Sequence, residues 1–539
     1  MTVYTWLRWN PWYTWSFLAF ICYLVYTKVT NKRKGRLPPG PKPLPVLGNI
    51  KDFPPPGKLE HQHWLEHKDI HGPISSVTVM GMTLVIIHDK QIAHTLLDKM
   101  ASKSSGRPAM VMANELCGYE AIVLCQGYTP KFRRYRTYLH RELGTKVSAA
   151  QFQDIQEVEV GRQLVRALKK PGQWKSHLKT TTGATVLQMA YGYTVEPDKP
   201  DGLVGLIDQM MTEFSLAAVP MAWAVDIIPA LRYLPEGIPG VKFKETARQW
   251  RRSIHASAYI PYNFVRRQMA AFSSRPSYVS KLVQQLTDDG KLSKEDEDAI
   301  VWSAASLYGA AADTMVITLK AFTAAMIMFP EVQQKAQEEI DRVVGSGRLP
   351  TLSDRENLPY MDALVKEANR WWPIAPMGFP HTATEDIVYE DMHIPKGSIF
   401  LPATWWFLHD PEVYTDPERF DPDRYIAPRS EPDPNAEAFG YGRRICPGRF
   451  FADSGLFLNM AQSLAVFNFT KKVDTDGKEI GVNIKPKPGV LAYPSEFEFQ
   501  LSPRSDKHVS LIKEFDRKHP CEPGDAELLE SLEDFKARY

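Results

Sequence analysis

Residues 439–448 read FGYGRRICPG and set a lone cysteine, Cys446, behind glycines and arginines and ahead of an apolar, helix-like run from Arg449 to Val466. A thiolate at the start of a helix meets the positive end of the helix dipole, which lowers its pKa and suits it to metal ligation. Gly440, Gly442 and Gly448 allow the backbone to approach a flat cofactor and to turn amides towards the sulfur. Arg443 and Arg444 offer cations to a cofactor's carboxylates. The same logic fits a redox-sensitive or nucleophilic cysteine, and the segment alone leaves both readings open. The remaining cysteines, Cys22, Cys117, Cys125 and Cys521, are scattered. They form no CxxC pair and no Cys/His cluster, so neither a disulfide framework nor a zinc site is indicated.

A second constellation is Gly309-Ala-Ala-Ala-Asp313-Thr314. Ser293 with Asp296 resembles a capping box, and helical patterning runs from there to Phe329, where Pro330 stops it. At ~1.5 Å per residue such a helix spans on the order of 50 Å, enough to cross a domain. Small side chains in its middle let a cofactor face pass close, and an acid beside an alcohol can relay protons. Patterning alone allows a plain buried polar pair instead. Glu367 and Arg370 share a helix face at i, i+3 and can pair.

The spacing F-x-x-G-x-R-x-C-x-G, met by Phe439, Gly442, Arg444, Cys446 and Gly448, resembles the haem-binding loop of the cytochrome P450 superfamily. The resemblance covers residues 37–503. It implies haem b with Cys446 as axial ligand to the iron. Ala310, Asp313 and Thr314 match the pattern A/G-G-x-D/E-T-T/S, with departures at Ala311 and Met315; the family uses this acid-alcohol pair to deliver protons. In the family the E-x-x-R pair is buried and joined by a second arginine. Pro417-Glu-Arg419-Phe is the more literal string, but the longer pattern F-x-P-E-R-F puts that arginine at Arg424, which is the expectation. Phe132-Arg-Arg-Tyr-Arg136 resembles the W-x-x-x-R helix, with phenylalanine for tryptophan, and makes Arg136 a propionate ligand beside Arg444. His381 occupies a place where many relatives use a histidine for the same purpose.

The function implied is a monooxygenase that activates O2 and hydroxylates, epoxidises or otherwise oxidises a lipophilic small molecule. No flavin or nicotinamide motif is present, so the electrons are expected from NADPH through a separate membrane-bound NADPH–cytochrome P450 reductase. Arginines and lysines around the cysteine side would form its docking face. Residues 108–123, 308–312 and 374–379, all mostly apolar, are expected to line the substrate pocket. The style of the haem loop is similar to fungal enzymes of secondary metabolism. Two other functions fit the same framework: an isomerase or dehydratase needing no external electrons, and a haem-binding sensor or carrier. An intact Asp313-Thr314 pair favours the monooxygenase.

These residues need a frame. Helix-like patterning dominates residues 145–345, two apolar runs flank Gly81 as a hairpin, and strand character returns after Pro373 and near 485–503. The expected fold is mainly α (α+β): a cytochrome P450 fold with a long central helix and small β-sheets, preceded by one N-terminal transmembrane helix. Residues 9–27 carry no charge, are rich in aromatic and aliphatic side chains, and approach the ~20 residues a membrane helix needs. The basic cluster Lys28 to Arg36 follows, and no small-residue cleavage site does, which favours an anchor over a signal peptide. The organisation expected is therefore a membrane anchor with basic flank over 1–36, a catalytic domain over 37–503, and a charged, solvated extension over 504–539. The catalytic domain would face the cytosol from the endoplasmic reticulum membrane. A net charge of +2 over 539 residues gives no support to nucleic-acid binding.

Overall fold

The computed structural model describes residues 35–538 except Val46, Pro56, Met221, Asp289 and Gly290. The helix expected over 9–27 lies outside the described residues. Helix α1 (Glu60–His71) leads into strands β1 (Ile74–Val79) and β2 (Met82–Ile87). They form the expected antiparallel hairpin, closed by Met80 and Gly81, whose φ angles are 47° and 89°. Positive φ at both central residues gives the turn whose twist matches the strands.

A helical body follows: α2 (Pro130–Leu143), α3 (Gln153–Lys169), α4 (Trp174–Tyr191), α5 (Gly202–Ala217), α6 (Phe243–Ala270) and α7 (Lys294–Met328). At the start of α7 the Ser293 hydroxyl accepts the Asp296 amide at 3.1 Å. The Asp296 carboxylate accepts that hydroxyl's proton rather than the Ser293 amide, so only half of the capping box is formed. Pro330 ends α7 and opens α8 (Pro330–Val343), since a proline lacks only an N–H that a first turn leaves unpaired anyway. Helix α7 is apolar enough to cross a membrane, yet 83% of its most apolar stretch is buried inside the protein. It is the axis of the core.

Helix α9 (Pro359–Trp371) precedes strands β3 (His381–Thr382), β4 (Ile387–Tyr389), β5 (Met392–Ile394) and β6 (Ile399–Pro402). Strand β6 returns to β2 and pairs with it in parallel, giving a sheet of order β1-β2-β6-β3. Helix α10 (Arg449–Val466) runs on into β7 (Phe467–Lys471), which pairs with β8 (Phe499–Pro503). The strand character expected from residue 485 is thus realised only from Phe499. Pro486 and Pro494 share one isolated bridge, because prolines cannot donate to a ladder.

The C-terminal stretch differs from the solvated extension that its charge suggested. Helices α11 (Asp506–Lys518) and α12 (Leu532–Arg538) pack on α3 and α6, with Ile512 and Phe535 at 1% and 0% exposure. Between them, Asp525 accepts the Thr194 amide at 2.8 Å and pairs with Arg275 at 2.6 Å. Charged residues cover the outer face while a sparse apolar stripe docks inward.

Candidate functional site

The loop ahead of α10 is closed by the Cys446 amide, which donates to the Phe439 carbonyl at 2.9 Å. Gly442 has φ 52°, and a Cβ there would lie 2.3 Å from the Leu97 carbonyl oxygen, so only glycine fits. Gly440 also needs its positive φ, 76°, whereas the space around its missing Cβ is open. The glycines at 440 and 442 therefore serve the turn. Gly448 caps α10, and its amide points at the Cys446 sulfur. Burial pushes the Cys446 thiol up, and the Gly448 amide, Arg136 and Arg449 pull it down by less. The expected lowering by the helix start is outweighed, since Cys446 lies ahead of the cap rather than inside the first turn. A thiolate here calls for a further positive charge at the sulfur.

The middle of α7 is less covered than the rest of the helix. Ala310 is exposed and Ala311 and Thr314 are half-buried, although the helix around them is buried. Residues 445–450, including Cys446, are half-buried as well. The Thr314 hydroxyl donates to the Ala310 carbonyl at 2.7 Å. Asp313 is 4% exposed and its carboxylate accepts the hydroxyl of Tyr493, a partner the sequence reading did not foresee. Burial pushes the acid's pKa up to about 6 against the opposing Tyr493 hydrogen bond. Among the described residues no hydrogen bond joins Asp313 to Thr314.

Three arginines and a histidine gather beside the cysteine loop. Arg444 donates to the carbonyls of Ser105 at 2.8 Å and Gln126 at 2.7 Å, and its guanidinium lies 3.8 Å from the Phe132 ring centroid. Phe132 thus stacks on a cation where the family's tryptophan would have offered an N–H. Arg136 donates to the Ile445 carbonyl at 2.8 Å. Arg107, not singled out from the sequence, donates to the carbonyls of Leu124 and Phe379 at 2.8 and 3.0 Å. His381 is buried against the Ser104 carbonyl at 3.0 Å. No carboxylate pairs with any of the three arginines among the described residues. Burial, then Arg107 and Arg136, push Arg444 down to about 8, and burial lowers Arg107 to about 10. Burial also drives His381 well below the usual histidine range, so it is neutral. Arg444 is buried and Arg107 and Arg136 half-buried, and cations withdrawn from water without counter-charge are costly. This donor set fits a dianionic cofactor such as the two propionates of haem. Arg443, by contrast, points outward over Tyr128.

Behind the loop, Arg370 grips Glu367 with two hydrogen bonds of 2.8 Å, and Arg424 Nε reaches the same carboxylate at 3.1 Å. All three side chains are fully buried. Arg419 is exposed and pairs with Glu331 at 3.0 Å; its backbone carbonyl, however, accepts from both Arg370 and Arg424. The more literal motif therefore lends a carbonyl and the longer one the guanidinium.

A small, mostly apolar pocket adjoins Arg107. Pro108, Met110 and Phe379 line it, as expected, and Phe214, Ala218 and Val490 complete it from α5, the residue after α5 and the stretch before β8. No local signal marked these last three, because only the fold brings them to the cavity.

The cytochrome P450 family model matches residues 38–498, and the chain belongs to this family of haem-thiolate oxidoreductases, which carry cysteine-ligated haem b. Its members use O2, a small-molecule substrate and a redox partner. The chain is 47% identical over 504 residues to cytochrome P450 monooxygenase CLM2 of Gibberella zeae, covering 93% of this chain and 95% of the relative. It is 46% identical to the multifunctional cytochrome P450 monooxygenase af510 of Aspergillus fumigatus, over 93% and 94% of the two chains. To the O-methylsterigmatocystin oxidoreductase of Aspergillus flavus it is 36% identical, over 91% and 92%.

Proposed function

We propose that the chain is a monooxygenase that oxidises a lipophilic small molecule in fungal secondary metabolism, with electrons from NADPH delivered by NADPH–cytochrome P450 reductase. The observation that carries this reading is the cluster of one buried and two half-buried arginines, none paired with a carboxylate among the described residues, beside the half-buried Cys446. Cys446 would ligate the haem iron, with the Gly448 amide tempering the charge on sulfur. Arg107, Arg136 and Arg444 would bind the propionates; His381, whose single neutral N–H goes to the Ser104 carbonyl, would join them only on gaining a second proton. Phe439 and Gly448 shape the loop beneath. Bound there, haem supplies the chemistry that activates O2. Thr314 sits half-buried with its hydroxyl on the Ala310 carbonyl, and Asp313 one residue away, its pKa raised to about 6, would take up and pass on a proton. Glu367, Arg370 and Arg424 hold the loop from behind and touch no substrate. The apolar lining of the pocket beside Arg107 supports a lipophilic substrate.

The proposed setting is a single-pass anchor at 9–27 in the endoplasmic reticulum membrane, with the 37–503 domain in the cytosol and the 504–539 segment clasped onto it. Lys131, Arg133 and Arg443, all exposed near the cysteine loop, would meet an acidic face of the reductase. Reduction should then slow as ionic strength rises. The deciding experiment combines the membrane-reconstituted protein with reductase, NADPH and O2 and surveys a lipophilic metabolite panel by mass spectrometry. Oxygenated product that requires all three supports the reading. Turnover without reductase and NADPH would replace it with an isomerase or dehydratase, and substrate binding without product with a carrier.

A further inference from the structure

Resting on the monooxygenase reading, we propose that Tyr493 is a positioning residue for Asp313, holding the acid's carboxyl away from the Thr314 face until a proton is needed there. Residues 484–496, an irregular stretch with no regular strand, carry the tyrosine. This stretch is fixed at several points. The Val490 and Leu491 amides donate to the carbonyl and hydroxyl of Ser215 on α5, each at 3.2 Å. Gly489, at φ 137°, packs so closely that a Cβ would lie 2.4 Å from the Ser215 hydroxyl. Ala492 exchanges hydrogen bonds with Ile374 and the Trp372 indole at 2.8 and 2.6 Å.

Two further anchors reach the central helix. Tyr493 donates to Asp313, and Lys320 donates to Glu496 at 3.1 Å, with Lys175 of α4 on the other oxygen at 3.0 Å. Asp313 and Lys320 are seven residues apart, two turns along one face of α7. The stretch thus lies lengthwise on the helix, and its Val490 lines the substrate cavity. A side chain that senses the cavity and a side chain that holds the acid are three residues apart.

The charged and titratable groups around Asp313 are few. Tyr493 faces it from the stretch, Asp208 from α5, Lys179 from α4, and Lys320 from its own helix. Lys179 and Asp208 pair at 2.5 Å and are 39% and 42% exposed, so water reaches this pair on the side of the buried acid that it faces. Burial and the neighbouring Asp313 push the Tyr493 phenol well up from its usual pKa. The phenol therefore keeps its proton and acts as a fixed donor. A hydrogen bond to the charged form favours a carboxylate, so Tyr493 opposes the pull of burial towards the neutral acid. A proton would arrive from water at the Lys179–Asp208 side and bind the Asp313 carboxylate, weakening its bond to Tyr493. The freed carboxyl would then give that proton towards the Thr314 hydroxyl and return to the phenol as carboxylate.

Difference infrared spectroscopy on the haem-loaded protein tests this directly, through the protonated-carboxyl band that Asp313→Asn removes. In the unaltered chain the band should titrate near pH 6; Tyr493→Phe should move the midpoint up by about one pH unit, given the ordinary strength of a hydrogen bond to a charged group. A fluorinated tyrosine at 493, a stronger donor of the same shape, should move it down, which guards against a folding defect in the phenylalanine variant. In reconstituted turnover Tyr493→Phe should lower product formed per NADPH consumed, with no further loss when added to Asp313→Asn. Unmoved midpoints in both variants, or additive losses, would overturn the proposal. If instead the unaltered chain makes no product while the midpoints still shift, the monooxygenase reading fails and the positioning role of Tyr493 survives.

Discussion

At Cys446 the protein by itself disfavours the thiolate, because burial outweighs the Gly448 amide and the two nearby arginines. A ligated metal cation would reverse that balance. Cys446→Ala should accordingly abolish the thiolate signature of the ferrous–CO spectrum, and a retained signature would remove Cys446 from the ligand role. The arginines divide in the same way. Arg444 is buried without a counter-charge while Arg443, its neighbour, is exposed. Arg444→Leu should weaken haem retention on the order of tenfold or more, since a charge-assisted hydrogen bond is worth about 1.5–3 kcal/mol. Arg443→Leu should leave retention within twofold. Haem content after gel filtration distinguishes the two. Equal losses would show that the inward cluster has no special claim on the cofactor.

Among the elements, α9 and the distant 421–425 turn are locked together by Glu367. One carboxylate holds Arg370, Arg424, the Tyr425 hydroxyl at 3.1 Å and the Asp421 amide at 2.8 Å. Removing one partner strands a buried charge, so Arg424→Ala should cost ~3–5 kcal/mol in urea unfolding. Arg419→Ala, which breaks only a surface pair, should cost under about 1 kcal/mol. A comparable loss at both positions would contradict the separate roles of carbonyl and guanidinium. The choice between these arginines was legible in sequence only through the longer motif; burial is what separates them. Helix α7 was legible almost to the residue, because its cap, its patterning and Pro330 are all local signals. The partner of its acid was not, since Tyr493 lies far away in the chain.

Across the whole molecule, the amino-terminal sheet and α1 bury three histidines whose pKa values burial lowers: His61 to about 4, His67 to about 4 and His88 to about 3. They are neutral when folded and gain protons readily when unfolded, with an ordinary pKa near 6.5. Their contribution is complete above about pH 6.5 and declines as pH falls towards 4, because the unfolded chain then binds more protons. Tm should therefore drop between pH 7 and pH 5; a constant Tm would show that these sites are not as dry as they look. Removing residues 504–539 should lower stability by a few kcal/mol, since Ile512, Phe515 and Phe535 lose apolar contacts worth about 1.5 kcal/mol or more each. Unchanged unfolding of the shortened chain would restore the solvated extension that the composition suggested.

Local arrangements that depend on neighbours in sequence were readable without coordinates: the cysteine loop ahead of its helix, the acid beside the alcohol, the i, i+3 ion pair, the hairpin turn and the helix stops. These features are set by spacing and backbone preference, which a few residues determine on their own. Tertiary structure decided what distance in sequence conceals. It brought Arg107 beside Arg136 and Arg444, turned Asp313 to Tyr493, carried Phe214 and Val490 to one cavity, and docked the charged C-terminal stretch. The physical reason is that burial is collective: whether a charge is stranded, or an acid keeps its proton, depends on which remote surfaces close over it.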